Sequence, residues 1–296
     1  MTRRRAASST TPLVSTRTTP RDSTLGAYDV VAPIARGGTA GVYLAEHRTT
    51  GEKVALKVID PHYAEHAEIV ERLLGERTVS QRIHHASLLD VHLADRSATG
   101  VAYLVMEYLD GENLGELADR GRIAAPAVLA IASQVACALG ALHAARVVHC
   151  DVKPDNIFVL YDKHGDGWPR IKVIDYGVAR FLDDAKTADC AIAGTPSYMP
   201  PEQWRGEPTA ASDVYSLGCT LHELLTGDQL FHGTLPQLMQ AHCERIAPRL
   251  RSRRPELPEA LDNLIARALS KDLALRPGML EMEVELLRIR DALVAQ

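Results

Sequence analysis

The sequence predicts an α+β fold of two lobes, a small β-rich lobe carrying one helix and then a larger α-helical lobe. Three observations predict it. From Tyr28 to about Met106, apolar residues alternate with polar ones or run in short strand-length segments bounded by turn residues. One helical stretch, at about 64–82, interrupts them. Past Gly111, apolar residues recur at helical intervals, apart from a hairpin near 157–174. The 296 residues, 46% of them hydrophobic, suffice for one large domain or two lobes. The expected division is a leader over 1–24, a first lobe over about 25–107, a hinge over about 107–111 and a second lobe over about 112–296.

The leader holds eleven Ser or Thr, two Thr-Pro pairs and five arginines against Asp22. Its balance of +4 leaves −9 for the remainder of a chain whose net charge is −5. With few large apolar side chains it cannot repay the entropy of ordering, and disorder is expected. Its composition also loosely resembles a transit peptide, without a clear apolar face. The negative net charge argues against nucleic acid as a partner. Five cysteines, at 137, 150, 190, 219 and 243, are odd in number, widely spaced and form no CxxC pair. That argues against a disulfide framework or a zinc site and for a reducing, cytoplasmic compartment.

In the first lobe, "GVYLAEH" and "EKVALKVID" read as strands joined by a turn at Thr49-Thr50-Gly51. "IARGGTAGVY" joins the first two strands, and its glycines 37, 38 and 41 permit a tight turn or a close backbone approach to phosphates. A plain hairpin turn reads equally well. Lys57, on the third expected strand, is costly among apolar neighbours unless its ammonium meets anions. Glu76, nineteen residues on in the expected helix, is the candidate partner.

The second lobe contains a stretch that imitates a membrane span. Residues 124–145 carry no Asp, Glu, Lys or Arg over 22 residues. The stretch is built on Ala, however, and includes Pro126, Ser133, Gln134 and His143. Its larger side chains (Val128, Leu129, Ile131, Val135, Leu139, Leu142) recur at helical intervals, so a buried helix is expected and no membrane span. "VVHCDVKPDN" follows it. Asp151 can accept a proton from an attacking hydroxyl, Lys153 can neutralise phosphate charge, and Asn156 offers an oxygen to a hard cation. Nineteen residues later, Asp175 in "KVIDYG" ends a strand and offers a second such oxygen.

With these motifs in order, the chain resembles the Hanks-type protein kinases, closest to the eukaryotic-like Ser/Thr kinases of bacteria, from about Tyr28 onward. "VALK" matches the family's strand lysine motif and Glu76 its helix glutamate. "VMEYL" (105–109) matches the hinge, with Met106 as gatekeeper. "HCDVKPDN" matches the catalytic loop, "DYG" the magnesium motif and "PPE" (200–202) the end of the activation segment. "DVYSLG" (213–218), beginning at Asp213, matches the large central helix, and Arg276 the arginine that pairs with Glu202. The resemblance implies ATP and Mg²⁺ as cofactors, with Mn²⁺ as a substitute, and the bilobal kinase fold. The Glu107 carbonyl and Leu109 N–H would bind adenine, with Val42, Ala55 and Phe158 around its ring and Gly37 and Gly38 over the phosphates. Lys57, oriented by Glu76, would hold the α- and β-phosphates. Asn156 and Asp175 would chelate the metal, and Asp151 would deprotonate the substrate hydroxyl. Lys153 with Thr195 in "GTPSYMPPE" resembles the Ser/Thr-specific pattern, so protein substrates are expected over small-molecule acceptors.

Three departures accompany the resemblance. The Gly-rich loop reads Ala35-x-Gly37-x-x-Ala40, two of the pattern's glycines being alanine, so weaker or altered ATP binding is expected. A pseudokinase acting as an ATP-binding scaffold is the competing reading. "DKHGDGWP" (162–169) is longer than the family's usual turn. Its Asp162 and Asp166 hint at a cation loop but lack the later acidic ligands of an EF-hand, so a solvated hairpin is expected. Cys150 stands where regulated members carry an Arg that binds activation-segment phosphate. Activity is therefore expected to depend little on Thr187, the only Ser or Thr of 178–194. Asp151 beside Cys150 disfavours its thiolate, so a quiet buried thiol is expected rather than a redox switch. Leader hydroxyls beside arginines are candidate autophosphorylation sites, and a transient homodimer would bring them to a second active site.

Overall fold

Alternation along the first strands sets the fold of the smaller lobe. The computed structural model describes residues 24–161, 167–182 and 193–295. The leader up to residue 23, Asp162, Asp166, Thr187 and Cys190 lie outside the described residues. The strands are β1 (Thr24–Leu25), β2 (Tyr28–Arg36), β3 (Ala40–His47) and β4 (Lys53–Ile59), followed by helix α1 (Ala67–Arg82), then β5 (Val91–Arg96) and β6 (Ala102–Glu107). They form one six-stranded antiparallel sheet in the order β1-β2-β3-β4-β6-β5. Thr24, assigned to the leader by composition, already pairs with Asp29 in β1. Because β1 precedes the strands expected from sequence, Lys57 lies on the fourth strand, not the third.

Successive side chains of a strand face opposite sides. Val54 and Leu56 accordingly join Leu25, Ala45, Tyr103 and Val105 in a small cluster on one face of the sheet. Ala55 and Ile59 face the other way, into the main core, and Lys57 shares their parity. α1 covers that side, packing on β5 and β6 through buried Val70, Leu73 and Val79.

The larger lobe follows: β7 (Gly111–Asn113), α2 (Leu114–Arg120), α3 (Ala125–Ala144), β8 (Val147–Val148), β9 (Ile157–Leu160), β10 (Ile171–Val173), β11 (Arg180–Phe181), α4 (Pro201–Trp204), α5 (Ala210–Thr226), α6 (Leu235–Glu244), α7 (Glu259–Ala268) and α8 (Met279–Val294). The hairpin expected near 157–174 is β9–β10, with β7 on its other edge. Among the described residues α3 is the helix long and apolar enough to cross a membrane. It packs against α8 and α5, with Val128, Leu129, Val135, Leu139 and Leu142 fully buried. Truncating one such leucine to Ala costs about 2–5 kcal/mol. α5 is the central helix, buried from Ser212 to Leu225.

Two backbone hydrogen bonds join the lobes and pair Leu88 with Val173 in a parallel bridge: Leu89 N–H donates to the Val173 carbonyl (3.0 Å), and Val173 N–H donates to the Ser87 carbonyl (2.8 Å). Strand β10 is thereby held beneath α1, and the residues just past it enter the cleft between the lobes.

Candidate active site

A cavity of about 630 Å³ opens between the sheet and the helical lobe. Gly37, Gly38, Val42, Ala55 and Lys57 line it from the sheet. Met106, Glu107 and Leu109 line it from the connection between lobes, and Asn156, Phe158 and Asp175 from the helical lobe. Residues spread over more than a hundred positions of sequence thus share one cleft. β-pairing explains part of this: Ala55 lies opposite Met106, and Lys57 opposite Leu104.

Lys57 Nζ donates to Glu76 Oε1 at 2.6 Å and to Asp175 Oδ1 at 3.0 Å. Burial opposes its charge, but the two carboxylates outweigh burial and hold the ammonium above the ordinary lysine value. Burial pushes the Glu76 carboxyl up to about 7 despite Lys57, and its Oε2 is enclosed with no partner. Asp175 lies two residues past the end of β10 rather than at it, with φ of 69°. That left-handed backbone is costly for a residue with a Cβ. It aims Oδ1 at Lys57 and lets the Gly177 N–H donate to the same oxygen (3.2 Å). Burial works against the Asp175 charge, yet Lys57 and the Gly177 N–H keep its carboxyl below the usual carboxylate range.

The loop after β8 organises a second carboxylate. Asp151 Oδ1 accepts the Thr195 N–H (2.8 Å), and Oδ2 accepts Lys153 Nζ (2.7 Å) and Asn156 Nδ2 (2.9 Å). Asn156 Nδ2 also donates to the Asp151 carbonyl (2.9 Å), and Lys153 Nζ to Thr195 Oγ1 (2.6 Å). Since its amide nitrogen is committed to Asp151, Asn156 keeps Oδ1 as an oxygen donor, and it lines the same cavity as Asp175, whose bond to Lys57 is made through Oδ1 and not Oδ2. Two such oxygens suit a hard divalent cation.

Buried partners fix this loop from below. Asp213, in the first turn of α5 and fully buried, accepts the backbone N–H groups of His149 (2.9 Å) and Cys150 (2.9 Å) and pairs with His143 Nε2 (2.7 Å). Cys150 has φ of 66° and is 3% exposed. Gln203 Nε2 donates to the carbonyls of Cys150 (2.7 Å) and Ala193 (2.7 Å). A Cβ on Gly194, whose φ is +123°, would stand 2.8 Å from the Cys150 carbonyl, so only glycine fits there. Glu202 meets Arg276 in a two-point pair, Nη1–Oε1 at 2.7 Å and Nη2–Oε2 at 3.1 Å, as their residue types imply. Ser212 Oγ completes it on Glu202 Oε1 (2.6 Å).

The Gly-rich turn has ordinary backbone geometry. Neither Gly37, Gly38 nor Gly41 has a positive φ. Ala35 and Ala40 lie in regular β2 and β3. The alanines therefore impose no backbone strain. A Cβ on Gly41 would stand 2.8 Å from the Tyr43 hydroxyl, so the tyrosine ring would have to shift to admit one.

Several residues with positions in the site carried no sequence signal as site residues. Lys172 Nζ donates to Glu107 Oε1 (2.7 Å) and to the Leu88 carbonyl (3.0 Å), while Glu107 Oε1 also accepts the Asp90 N–H (2.8 Å). The hinge glutamate is thereby held by its side chain as well as by its N–H, which donates to the Asp90 carbonyl (3.1 Å). Tyr176, between Asp175 and Gly177, donates its hydroxyl to the Leu89 carbonyl at 3.1 Å. His143, Gln203 and Ser212 complete the set.

Comparison with known proteins places this arrangement. The family described as "Protein kinase domain" matches residues 28–285. The serine/threonine-protein kinase Pkn1 of Myxococcus xanthus is 39% identical over 252 residues, 83% of this chain and 36% of that protein. PrkC of Bacillus subtilis is 32% identical over 252 residues, 83% of this chain and 38% of that protein. The chain thus spans just over a third of the length of these curated relatives. Among solved structures, the PknI kinase domain of Mycobacterium tuberculosis superposes with a TM-score of 0.72 at 28% identity, covering 92% of this chain and 100% of that one.

Proposed function

The chain belongs to the protein kinase domain family, in its bacterial Hanks-type serine/threonine branch, and from that premise we propose that it transfers the γ-phosphoryl group of ATP to Ser and Thr hydroxyls of proteins. The observation that carries the proposal is Asp151. Its two oxygens are fixed by Thr195, Lys153 and Asn156 at the edge of a cleft that also holds the Lys57–Glu76–Asp175 cluster. In this reading the acceptor oxygen forms a bond to the γ-phosphorus as the bond to the ADP oxygen breaks, and Asp151 takes the hydroxyl proton. Lys153 balances charge on the transferred group, which fits its place between Asp151 and Thr195. Lys57 would hold the α- and β-phosphates. Val42, Ala55 and Phe158 would enclose adenine, with the Glu107 carbonyl and Leu109 N–H reading its edge and Met106 bounding the depth. Mg²⁺, or Mn²⁺ in its place, would be held by Asn156 Oδ1 and Asp175 and would supply charge neutralisation on the phosphates.

The alternative, a pseudokinase scaffold, leaves the preserved hydrogen bonding of Asp151, Lys153 and Asn156 without a use. Purified protein with Mg·ATP should transfer radiolabel to casein or to itself. Asp151→Asn should lose about 10²–10⁴-fold of that rate while still binding Mg·ATP. A wild-type protein that binds Mg·ATP and transfers nothing refutes the enzyme and favours the scaffold.

Regulation forms part of the same proposal. Cys150 stands in place of the catalytic-loop Arg, and a thiol cannot bind activation-segment phosphate. Thr187→Ala should therefore retain turnover, and Cys150→Arg should increase dependence on Thr187. Leader hydroxyls serve as autophosphorylation sites within a transient homodimer, which phosphopeptide mapping of residues 1–24 tests. A cytoplasmic setting accords with free thiols at Cys137, Cys150, Cys219 and Cys243.

A further inference from the structure

Helix α1 turns toward the cavity a face made of Ile69, Arg72, Leu73 and Glu76, the i, i+3, i+4 and i+7 positions. Leu73 and Glu76 are buried, whereas Arg72 is exposed at the cavity wall one turn before Glu76. Three cations line the cavity: Arg36, Lys57 and Arg72. Arg36 pairs with Asp60 (3.2 Å), and Lys57 is shared by Glu76 and Asp175. Among the described residues Arg72 has no ion pair. Three carboxylates, Glu76, Asp155 and Asp175, also line the cavity, that of Glu107 being engaged by Lys172. A polyphosphate entering there meets as many negative groups as positive ones, and Lys57 is already offset twice over.

The Gly-rich turn gives limited help. Its Gly37 N–H is spent on the Ala40 carbonyl (2.9 Å) and cannot face a phosphate. A guanidinium suits the remaining need, because its planar donors match phosphate oxygens in pairs.

We propose that Arg72 is a second phosphate-binding cation of this cleft, engaging the terminal phosphate of the nucleotide from the α1 side. This rests on the reading of the cavity as a nucleotide site.

Titration calorimetry on the full chain with Mg·ATP, Mg·ADP and adenosine tests the assignment in wild type, Arg72→Ala and Arg72→Lys. Arg72→Ala should weaken ATP by about tenfold or more, weaken ADP less, and leave adenosine unchanged. Arg72→Lys should recover part of the ATP loss. Unchanged adenosine affinity also reports an intact cleft. An Arg72→Ala protein with the wild-type ratio of ATP to ADP affinity overturns the inference while the nucleotide site stands. Equal losses for ATP and adenosine overturn it as well, by showing a structural effect. A wild-type protein that binds neither ATP nor adenosine overturns the nucleotide reading, and the inference with it.

Discussion

The backbone N–H of Cys150 donates to Asp213 Oδ1 at 2.9 Å, from a residue held in left-handed backbone onto a carboxylate with no solvent exposure. Burial alone would raise that carboxyl. The hydrogen bond and charge of His143, with the His149 N–H, outweigh it and hold Asp213 below the usual range. Asp213 therefore keeps the turn before Asp151 in shape. Asp213→Ala leaves two backbone donors and His143 without their acceptor and should cost about 3–5 kcal/mol, read as a lower urea midpoint. Asp213→Asn should cost less, since one amide oxygen remains. A midpoint unchanged in Asp213→Ala would remove this carboxylate from the support of the loop.

Glu76 gives the cleft a pH dependence whose sign can be worked out. Burial lifts its carboxyl from 4.5 to about 7, so the folded state keeps a proton that the unfolded chain releases in that window. On this group's account stability is fully present below 4.5 and is lost as pH rises through about 7. Activity should run the other way: below about pH 7 the neutral carboxyl no longer balances Lys57, and kcat/KM falls. Glu76→Gln should be slow, and should flatten both slopes. Parallel pH slopes in the variant and the wild type would assign the titration to another group.

The four cysteines among the described residues divide by burial. Cys150 and Cys219 are 3% and 1% exposed, and burial pushes both thiols well above their ordinary value, with Asp213 adding to the effect at Cys150. Cys137 and Cys243 are half-buried. Maleimide labelling of native protein, mapped by mass spectrometry, should reach Cys137 and Cys243 before Cys150, which should label only on unfolding. Rapid native labelling of Cys150 would revive a redox role for it.

Much of this site was legible in the sequence, because residue types and spacings within "HCDVKPDN" and "VALK" state the chemistry locally. The strands were legible from alternation, and α3 from helical recurrence despite its span-like composition. The support was not legible. Cys150 and Asp213 are 63 residues apart, Lys172 and Glu107 65, and Tyr176 and Leu89 87. No local window holds both partners, and an unremarkable Lys or Tyr carries no mark of the carbonyl it will meet. The backbone of the Gly-rich turn was not legible either, since composition does not say that Ala35 and Ala40 would sit in regular strands or that Gly41 would face the Tyr43 ring two positions along β3.

Glu202 and Arg276 form a buried pair between α4 and the segment before α8, with Arg276 also donating to the carbonyls of Ala211 (2.8 Å) and Ser270 (2.8 Å). Removing one partner strands the other charge, so Glu202→Gln or Arg276→Met should each cost about 3–5 kcal/mol. The double replacement should cost less than the sum, because it leaves no orphaned charge. Additive losses in a double-mutant cycle would mean that the pair is uncoupled and that each residue acts through its other hydrogen bonds.

Tyr176 makes a further connection between the sheet lobe and the segment of Asp175, beside the Lys57–Asp175 pair. Its hydroxyl donates to the Leu89 carbonyl at 3.1 Å, and Leu89 N–H in turn donates to Val173 on β10. Burial pushes the phenol up, so it stays a donor at all physiological pH. The adjoining Asp175 occupies a left-handed backbone that its neighbours must hold in place. Tyr176→Phe keeps the ring against His149 and removes the donor alone. It should cost about 1–2 kcal/mol, and the effect on function should appear in the metal rather than in the nucleoside. Adenosine affinity should match wild type, while the Mg²⁺ concentration for half-maximal turnover rises several-fold and kcat at saturating Mg²⁺ changes little. A rise in adenosine Kd with unchanged Mg²⁺ dependence would place the hydroxyl in the support of the hinge instead, beside Lys172 and Glu107.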